Sequence, residues 1–303
     1  MPRAGMRTRL RQTARDLVRP PRRWISRDAL IGVDELREDI RAVTDAVNRQ
    51  SEQLAQLMEL SAPGPERLLA RNGGAPDPPR SSRVLCSLGS GPYLALLGIS
   101  SITFEAFAAR HGYDLVLRTE LVAPERPPAW SKIRLVRDLL DRYEEVLWVD
   151  SDAIFVDISK DIAEVMRPGK DLYLVEHRWL ANTEWRCANT GVFLIRSTPW
   201  SRDFLDAVWN HEKFIDHAWW ENAAVLDLLG YELPPDLTPP SKARTTDLEE
   251  KVELLGFEWN STGGASVAEH PRIRHVGRGE IEDVRRQMLE HLLTFRRSLQ
   301  GEH

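Results

Sequence analysis

One stretch constrains this chain more than any other: Glu144-Glu145-Val146-Leu147-Trp148-Val149-Asp150-Ser151-Asp152-Ala153-Ile154-Phe155. Val146 to Val149 are β-branched, aliphatic or aromatic, the composition of a buried central strand. Two acids then follow, one residue apart. Acids are depleted from strand interiors, so the pair is expected at the strand's carboxyl edge, where open α/β sheets bind their ligands. In extended backbone, residues i and i+2 point to the same side. Asp150 and Asp152 are therefore expected to converge, and paired carboxylate oxygens suit a divalent cation. An aspartate pair alone is equally compatible with a solvated turn, so its surroundings have to decide.

Length and composition set the frame. With 303 residues there is room for one large α/β domain or two smaller ones, and an apolar content of 42% supports a packed core. The net charge of −5 excludes a globally basic nucleic-acid binder, so no nucleic-acid partner is expected. Cys86 and Cys187 stand in apolar contexts and are expected as buried free thiols in a reducing compartment. No apolar run has the length to span a bilayer, and no apolar segment of signal-peptide type follows the basic N-terminus. Eight of the ten tryptophans lie between Trp130 and Trp220. Tryptophan stacks well on sugar rings, yet the bulk of these are expected in the core.

Four segments divide the chain. Residues 1–28 form a basic arm, with nine arginines up to Arg27 against one acid, Asp16. Isolated apolar residues among them suggest an arm that lies on an anionic membrane surface. A solvated tail and an arginine-rich transit peptide are the plainer alternatives. In residues 29–60, Val33, Leu36, Ile40, Val43, Val47, Leu54 and Leu57 recur at spacings of three and four, with Gln50 breaking the series. That seam predicts a coiled-coil helix and a homo-oligomer, against the alternative of a helix packed on the main domain. Residues 61–82, with Pro63, Pro65, Gly73, Gly74, Pro76, Pro78 and Pro79, read as a linker.

From Arg83 to the end, residues 83–303, the pattern is α/β. Val84–Leu88 predicts a buried strand, the segment Gly89–Pro92 a loop, and Tyr93 to Arg110 a helix that stops at His111-Gly112. Strands are expected at 114–117, 171–176, 189–196 and 272–277. Helices are expected at 131–143, 161–166, 200–209, 219–229 and 280–299. Strands alternating with helices predict βαβ units and a mostly parallel sheet flanked by helices. The glycines at Gly89 and Gly91 would let a nucleotide approach the backbone closely, although they match no phosphate-loop pattern.

Four blocks in this order resemble the GT-A glycosyltransferases. They are similar in particular to glycosyltransferase family 34, the retaining galactosyl-, mannosyl- and xylosyltransferases. The first block is Trp130-Ser131-Lys132-Ile133-Arg134-Leu135-Val136-Arg137 with Tyr143 to Ala153. The second is Leu174-Val175-Glu176-His177-Arg178-Trp179. The third is Asn189-Thr190-Gly191-Val192-Phe193-Leu194-Ile195-Arg196 with Trp200-Ser201 and Phe204-Leu205-Asp206. The fourth is Glu221-Asn222-Ala223-Ala224 with His275-Val276-Gly277. Asn222 departs from the glutamine usual there. The lack of a transmembrane helix suggests a bacterial-type, cytoplasmic member, peripheral on the inner membrane face through its arm.

The resemblance implies a GT-A domain, a nucleotide-diphosphate sugar donor and a glycan or glycolipid acceptor. It makes His275 a third metal ligand beside Asp150 and Asp152, with His270 as fallback. A mixed oxygen–nitrogen set suits Mn²⁺, with Mg²⁺ as the alternative. It places Cys86, Ser87, Lys132, Ser151, Asn189 and Gly191, with the acid pair, on the donor side. Glu176, His177 and Trp179 fall on the acceptor side. Glu221 and Asn222 fall near the anomeric carbon, as catalytic candidates. Four have a plain counterpart: a satisfied structural residue for His275, a solvated side chain for Lys132, a turn-forming residue for Asn189 and a structural helix start for Glu221. Two other functions stay open at this point. A haloacid-dehalogenase-type phosphatase also sets an aspartate pair after an apolar strand, and a non-catalytic scaffold could merely bind a nucleotide or glycan.

Overall fold

The computed structural model describes residues 38, 40–42, 44–45, 75–178, 186–233, 239–277 and 279–300. The chain divides into two units, Met1–Leu57 and Met58–His303. In the first, the described residues are helical, and Thr44 Oγ1 donates to the carbonyl of Ile40 at 2.7 Å. The basic arm lies outside the described residues, as do nearly all of the expected coiled coil and residues 61–74 of the linker.

The second unit is built on a six-stranded sheet. Its strands are β1 (Arg83–Leu88), β2 (Asp114–Arg118), β3 (Glu145–Val149), β5 (Leu172–Arg178), β6 (Arg186–Arg196) and β9 (Val252–Leu255). The order across the sheet is β2-β1-β3-β6-β5-β9. The β1–β2, β1–β3 and β5–β9 pairs are parallel, and β6 runs antiparallel to both neighbours. The expected mostly parallel α/β sheet is therefore present, with β6 as an antiparallel strand that was not anticipated. β9 lies where no strand was expected. It is a short edge strand with Leu254 exposed and Leu255 buried, too brief for alternation to stand out.

Helices α1 (Tyr93–His111) and α2 (Ser131–Leu139) form the crossovers from β1 to β2 and from β2 to β3. Gly112, at φ +71°, closes α1 in the left-handed conformation. α2 is shorter than the expected 131–143. Residues 161–166 supply a single 3-10 turn, Ile162–Val165, rather than a helix, opened by an Asp161–Glu164 capping box. α3 (Pro199–Trp209) and α4 (Trp220–Leu228) follow β6. The last helix, α5 (Ile281–Gln300), buries Val284, Met288, Leu289, Leu292 and Phe295 on one stripe and packs on α1. β7 (Tyr231–Glu232) and β8 (Ser241–Lys242) pair as a separate two-stranded sheet, with Tyr231 in the main core.

Two details position the site. First, the strand order reverses between β1 and β3, so their carboxyl ends open a crevice, the usual ligand position in such sheets. Second, β5 pairs Leu174 with Phe193 and then Val175 with Asn189. Thr190, Gly191 and Val192 are thus released from β5, and the bulge carries their backbone to the end of β3.

Candidate metal centre and its cavity

Asp150 follows β3 directly, and the chain turns there instead of running on extended. Ala153 N–H donates to the Asp150 carbonyl at 3.0 Å, closing a tight turn around Ser151 and Asp152. The acids converge through this turn, which corrects the expectation that an extended i, i+2 pair would bring them together. Residues past the turn form a separate strand, β4 (Ala153–Phe155), paired antiparallel with β10 (Ile273–His275). Their register sets Ala153 opposite His275, and Val276 N–H donates to the Asp152 carbonyl at 3.1 Å. Strand pairing therefore delivers the histidine to the acid pair.

One ligand atom each from Asp150, Asp152 and His275 lies within 4.8 Å of the others. His275 Nε2 is 3.3 Å from Asp152 Oδ1 and 4.0 Å from Asp150 Oδ2. Burial opposes charge on both His275 and Asp152. Their attraction outweighs it, holding the histidine above its ordinary pKa and Asp152 below the usual carboxylate range. Two carboxylates and an imidazole that converge on one point match the donor set of a divalent cation. Gly191 makes room for the ring: a Cβ there would lie 2.4 Å from His275 Cε1 and 2.6 Å from Nδ1. Residues and space fit a metal ion. His270, the fallback, is exposed beside Glu269 and is not among the converging ligand groups of the described residues.

A buried cation underlies the acids. Lys132, in the first turn of α2, is 5% exposed, which excludes a solvated lysine. Its Nζ lies 3.0 Å from Asp150 Oδ1, 2.8 Å from Glu221 Oε1 and 3.1 Å from the Thr190 carbonyl. An ammonium has three hydrogens, and here each has a partner. A direct bond from Lys132 to a donor would require one of these to break. Burial disfavours the charge, but Asp150 and Glu221 more than offset it and push the lysine pKa up. Asp150 Oδ1 also accepts from the Trp148 indole at 2.7 Å. With Oδ1 occupied, Oδ2 is the oxygen left for a ligand.

Glu221, in the first turn of α4, is 3% exposed. Its Oε1 accepts from Lys132 and from Thr190 Oγ1 at 3.1 Å, while Oε2 is buried without a hydrogen-bond partner. Asn222 accepts from Thr190 N–H through Oδ1 at 3.0 Å, leaving its NH₂ for a ligand. Trp220, just before them, has φ +43°, a region that a bulky side chain occupies only where its surroundings enforce it.

These groups share a cavity of about 630 Å³. Its lining includes Lys132, Asp150, Ser151, Asp152, Asn189, Gly191, Glu221, Asn222 and His275, all anticipated from sequence, together with His177. Asn189 has its amide oxygen engaged by Gly191 N–H at 2.7 Å and by Asn260 Nδ2 at 2.8 Å. Cys86 and Ser87 are not in the lining. Both are fully buried within β1, and this segment reaches the cavity at Leu88 and at Ser90 to Tyr93. Glu176 also lies outside the lining; it pairs with Arg178 at 2.5 Å. His177 faces Ser266 Oγ at 3.1 Å and Thr262 Oγ1 at 3.3 Å. Trp179 falls outside the described residues.

Sequence reasoning missed Trp148, Thr190, Asn260, Tyr93 and Trp220. Trp148 carried a signal, since residues two apart on a strand share a face. Tyr93 and Trp220 are the exposed aromatic side chains among the described residues, and both line this cavity.

The chain is similar in sequence to known proteins. The chain is similar to xyloglucan 6-xylosyltransferase 1 of Arabidopsis thaliana, 28% identical over 240 residues, which cover 76% of this chain and 47% of that protein. It is similar to probable glycosyltransferase 7 of Oryza sativa subsp. indica, 31% identical over 166 residues, 52% of this chain and 35% of that one. Galactomannan galactosyltransferase 1 of Cyamopsis tetragonoloba is 36% identical over 106 residues, 33% of this chain and 24% of that protein. The chain spans less than half the length of these curated relatives. A crystal structure of a glycosyltransferase involved in the glycosylation of the major capsid of PBCV-1 aligns at 15% identity and a TM-score of 0.48, over 68% of this chain and 98% of that one. Residues 104–302, well over half of the chain, match the model of the galactosyl transferase GMA12/MNN10 family, glycosyltransferase family 34, and the chain belongs to that family.

Proposed function

We propose that this chain is a metal-dependent glycosyltransferase. In this reading it moves a hexose or pentose from a nucleotide-diphosphate sugar to a glycan or glycolipid acceptor, with retention at the anomeric carbon. The observation that carries it is the meeting of Asp150, Asp152 and His275 inside one cavity, in a chain of this family. Membership of a glycosyltransferase family displaces the phosphatase alternative. A non-catalytic scaffold would have no use for a buried lysine and glutamate held beside the three candidate ligands.

Asp150, Asp152 and His275 would hold Mn²⁺, with Mg²⁺ as the alternative. Such an ion offsets the negative charge of a departing diphosphate. Lys132 acts from beneath: it fixes Asp150 Oδ1 and Glu221 Oε1 in place. The Asn222 NH₂ is the group left to face the donor sugar, while Glu221 Oε2 is buried and meets a ligand only after its side chain shifts. Retention calls for a carboxylate at the anomeric carbon or for departure and attack on one face. Glu221 is the carboxylate placed for the first and, with Asn222, orients the sugar for the second. His177 lies on the acceptor side. The exposed ring of Trp220 suits the apolar face of a pyranose.

The stem belongs to the same proposal. Its heptad seam supports self-association. The arginine-rich arm suits an anionic membrane surface on the cytoplasmic side.

The test is binding and hydrolysis of nucleotide-diphosphate sugars with and without Mn²⁺, for wild type and Asp152→Ala. Binding that needs Mn²⁺ and drops at least tenfold in the variant is the expected result. A wild type that binds no nucleotide sugar overturns the transferase reading. A full-length protein that stays monomeric in light scattering at micromolar concentration overturns the oligomeric stem.

A further inference from the structure

We infer that Asn260 is a positioning residue. It fixes which ring nitrogen of His275 carries hydrogen, and so presents the Nε2 lone pair to the acid pair. This rests on the reading of Asp150, Asp152 and His275 as metal ligands. Amide ends and imidazole tautomers are ordinarily ambiguous. Here a backbone group removes the ambiguity.

Gly191 N–H can only donate, and it lies 2.7 Å from the side-chain oxygen of Asn189. That oxygen also faces one end of the Asn260 amide at 2.8 Å. An oxygen cannot donate to an oxygen, so the Asn260 end facing Asn189 is its NH₂. Its carbonyl therefore points the other way, 2.9 Å from His275 Nδ1. A carbonyl oxygen accepts only, so Nδ1 carries the hydrogen. In the neutral ring, the form that can ligate a metal, the lone pair is then on Nε2, the nitrogen that lies 3.3 Å from Asp152. The polarity of one peptide group is thus passed through two side-chain amides to an imidazole.

Asn260 is built for this task. It is 1% exposed, and its backbone N–H is held by the Phe257 carbonyl at 3.1 Å. The Gly191 carbonyl meanwhile accepts from Asp150 N–H at 2.8 Å. One glycine therefore orients an acid through its C=O and the histidine through its N–H. A histidine that ligates metal through one nitrogen commonly donates from the other, and losing that partner weakens metal binding about 10- to 100-fold.

The test uses the full-length protein, its Mn²⁺ affinity by calorimetry and histidine-selective ¹⁵N–¹H correlation spectra. In wild type, His275 Nδ1 should carry a slowly exchanging proton. Asn260→Leu, close in size, should bind Mn²⁺ about 10- to 100-fold more weakly. Asn260→Asp keeps an oxygen against Nδ1 and should bind Mn²⁺ more tightly than Asn260→Leu. A merely structural Asn260 predicts the reverse order, because an unneeded buried charge disrupts the site more than a leucine does. An unprotonated Nδ1 in wild type overturns the proposal even where a variant fails to fold, as does an Asn260→Leu affinity within twofold of wild type. A wild type that binds no Mn²⁺ overturns the metal reading itself; one that binds it equally well without Asn260 overturns only the role of Asn260.

Discussion

His275 occupies the space that a side chain on Gly191 would need. The ring approaches so closely that even a methyl group at position 191 would lie 2.4 Å from its Cε1. Gly191 is not in the left-handed region, so the glycine serves room here rather than turn geometry. Gly191→Ala should displace the ring from the acids. Overpacking of this kind costs roughly 1–3 kcal/mol. The expected outcome is a folded protein by far-UV circular dichroism whose Mn²⁺ affinity, by calorimetry, falls at least tenfold.

Lys132 and Glu221 make a second test. Both are buried, and removing one partner strands the other's charge. Such breaks destabilise by about 3–5 kcal/mol. Lys132→Met should lower the urea midpoint strongly, because Asp150 and Glu221 then repel each other without a cation between them. Adding Glu221→Gln to it should recover part of the loss. A double-mutant cycle in urea that gives additive effects would contradict the coupling.

The thiols offer a simpler measurement. Cys86 is fully buried and burial pushes its pKa up, while Cys187 is 3% exposed in the same core. Thiolates are the reactive species. Neither cysteine should react with Ellman's reagent in native protein within the time that unfolded protein reacts fully. Rapid titration of Cys86 would show that the core opens, whereas reaction of Cys187, which lines the cavity, would report entry of the reagent there.

Acid should weaken one surface anchor in a defined direction. Burial would raise the pKa of Asp227, but hydrogen bonds from His211 at 2.7 Å and Lys213 at 3.1 Å prevail and lower it. A carboxylate whose folded pKa lies below its unfolded one adds stability above the unfolded value, roughly pH 4. That stability is lost as pH falls through the folded value. Asp227→Asn should therefore reduce stability at pH 7 and flatten its decline below about pH 4, as read from urea midpoints across that range.

The acid pair and the strand leading to it were plain in the sequence because a central strand has few ways to be composed. The order of blocks around it carried the family. What stayed hidden depended on distant segments meeting. The extended-strand rule pointed Asp150 and Asp152 together for the wrong reason, since a turn does it. Cys86 and Ser87 looked like donor contacts, yet β1 ends one residue too late to bring them to the crevice. Asn260 had no local signature, because its value lies in touching Asn189 and His275 across the fold. Lys132 was visible only as a charge at a helix start; its burial required three separate chain segments to close over it.

The β4–β10 pairing has a temporal consequence. Asp150 and Asp152 leave the ribosome with the first half of the domain, but His275 arrives on a strand near the end of it. Long-range pairings of this kind form late, after the loop between them has closed. During synthesis the nascent sheet therefore carries two acids without their histidine, and competence to hold a cation marks a domain whose last strand has docked. A chain ended before Ile273 should keep the secondary structure of β1 to β3 and bind no Mn²⁺ with the affinity of the whole.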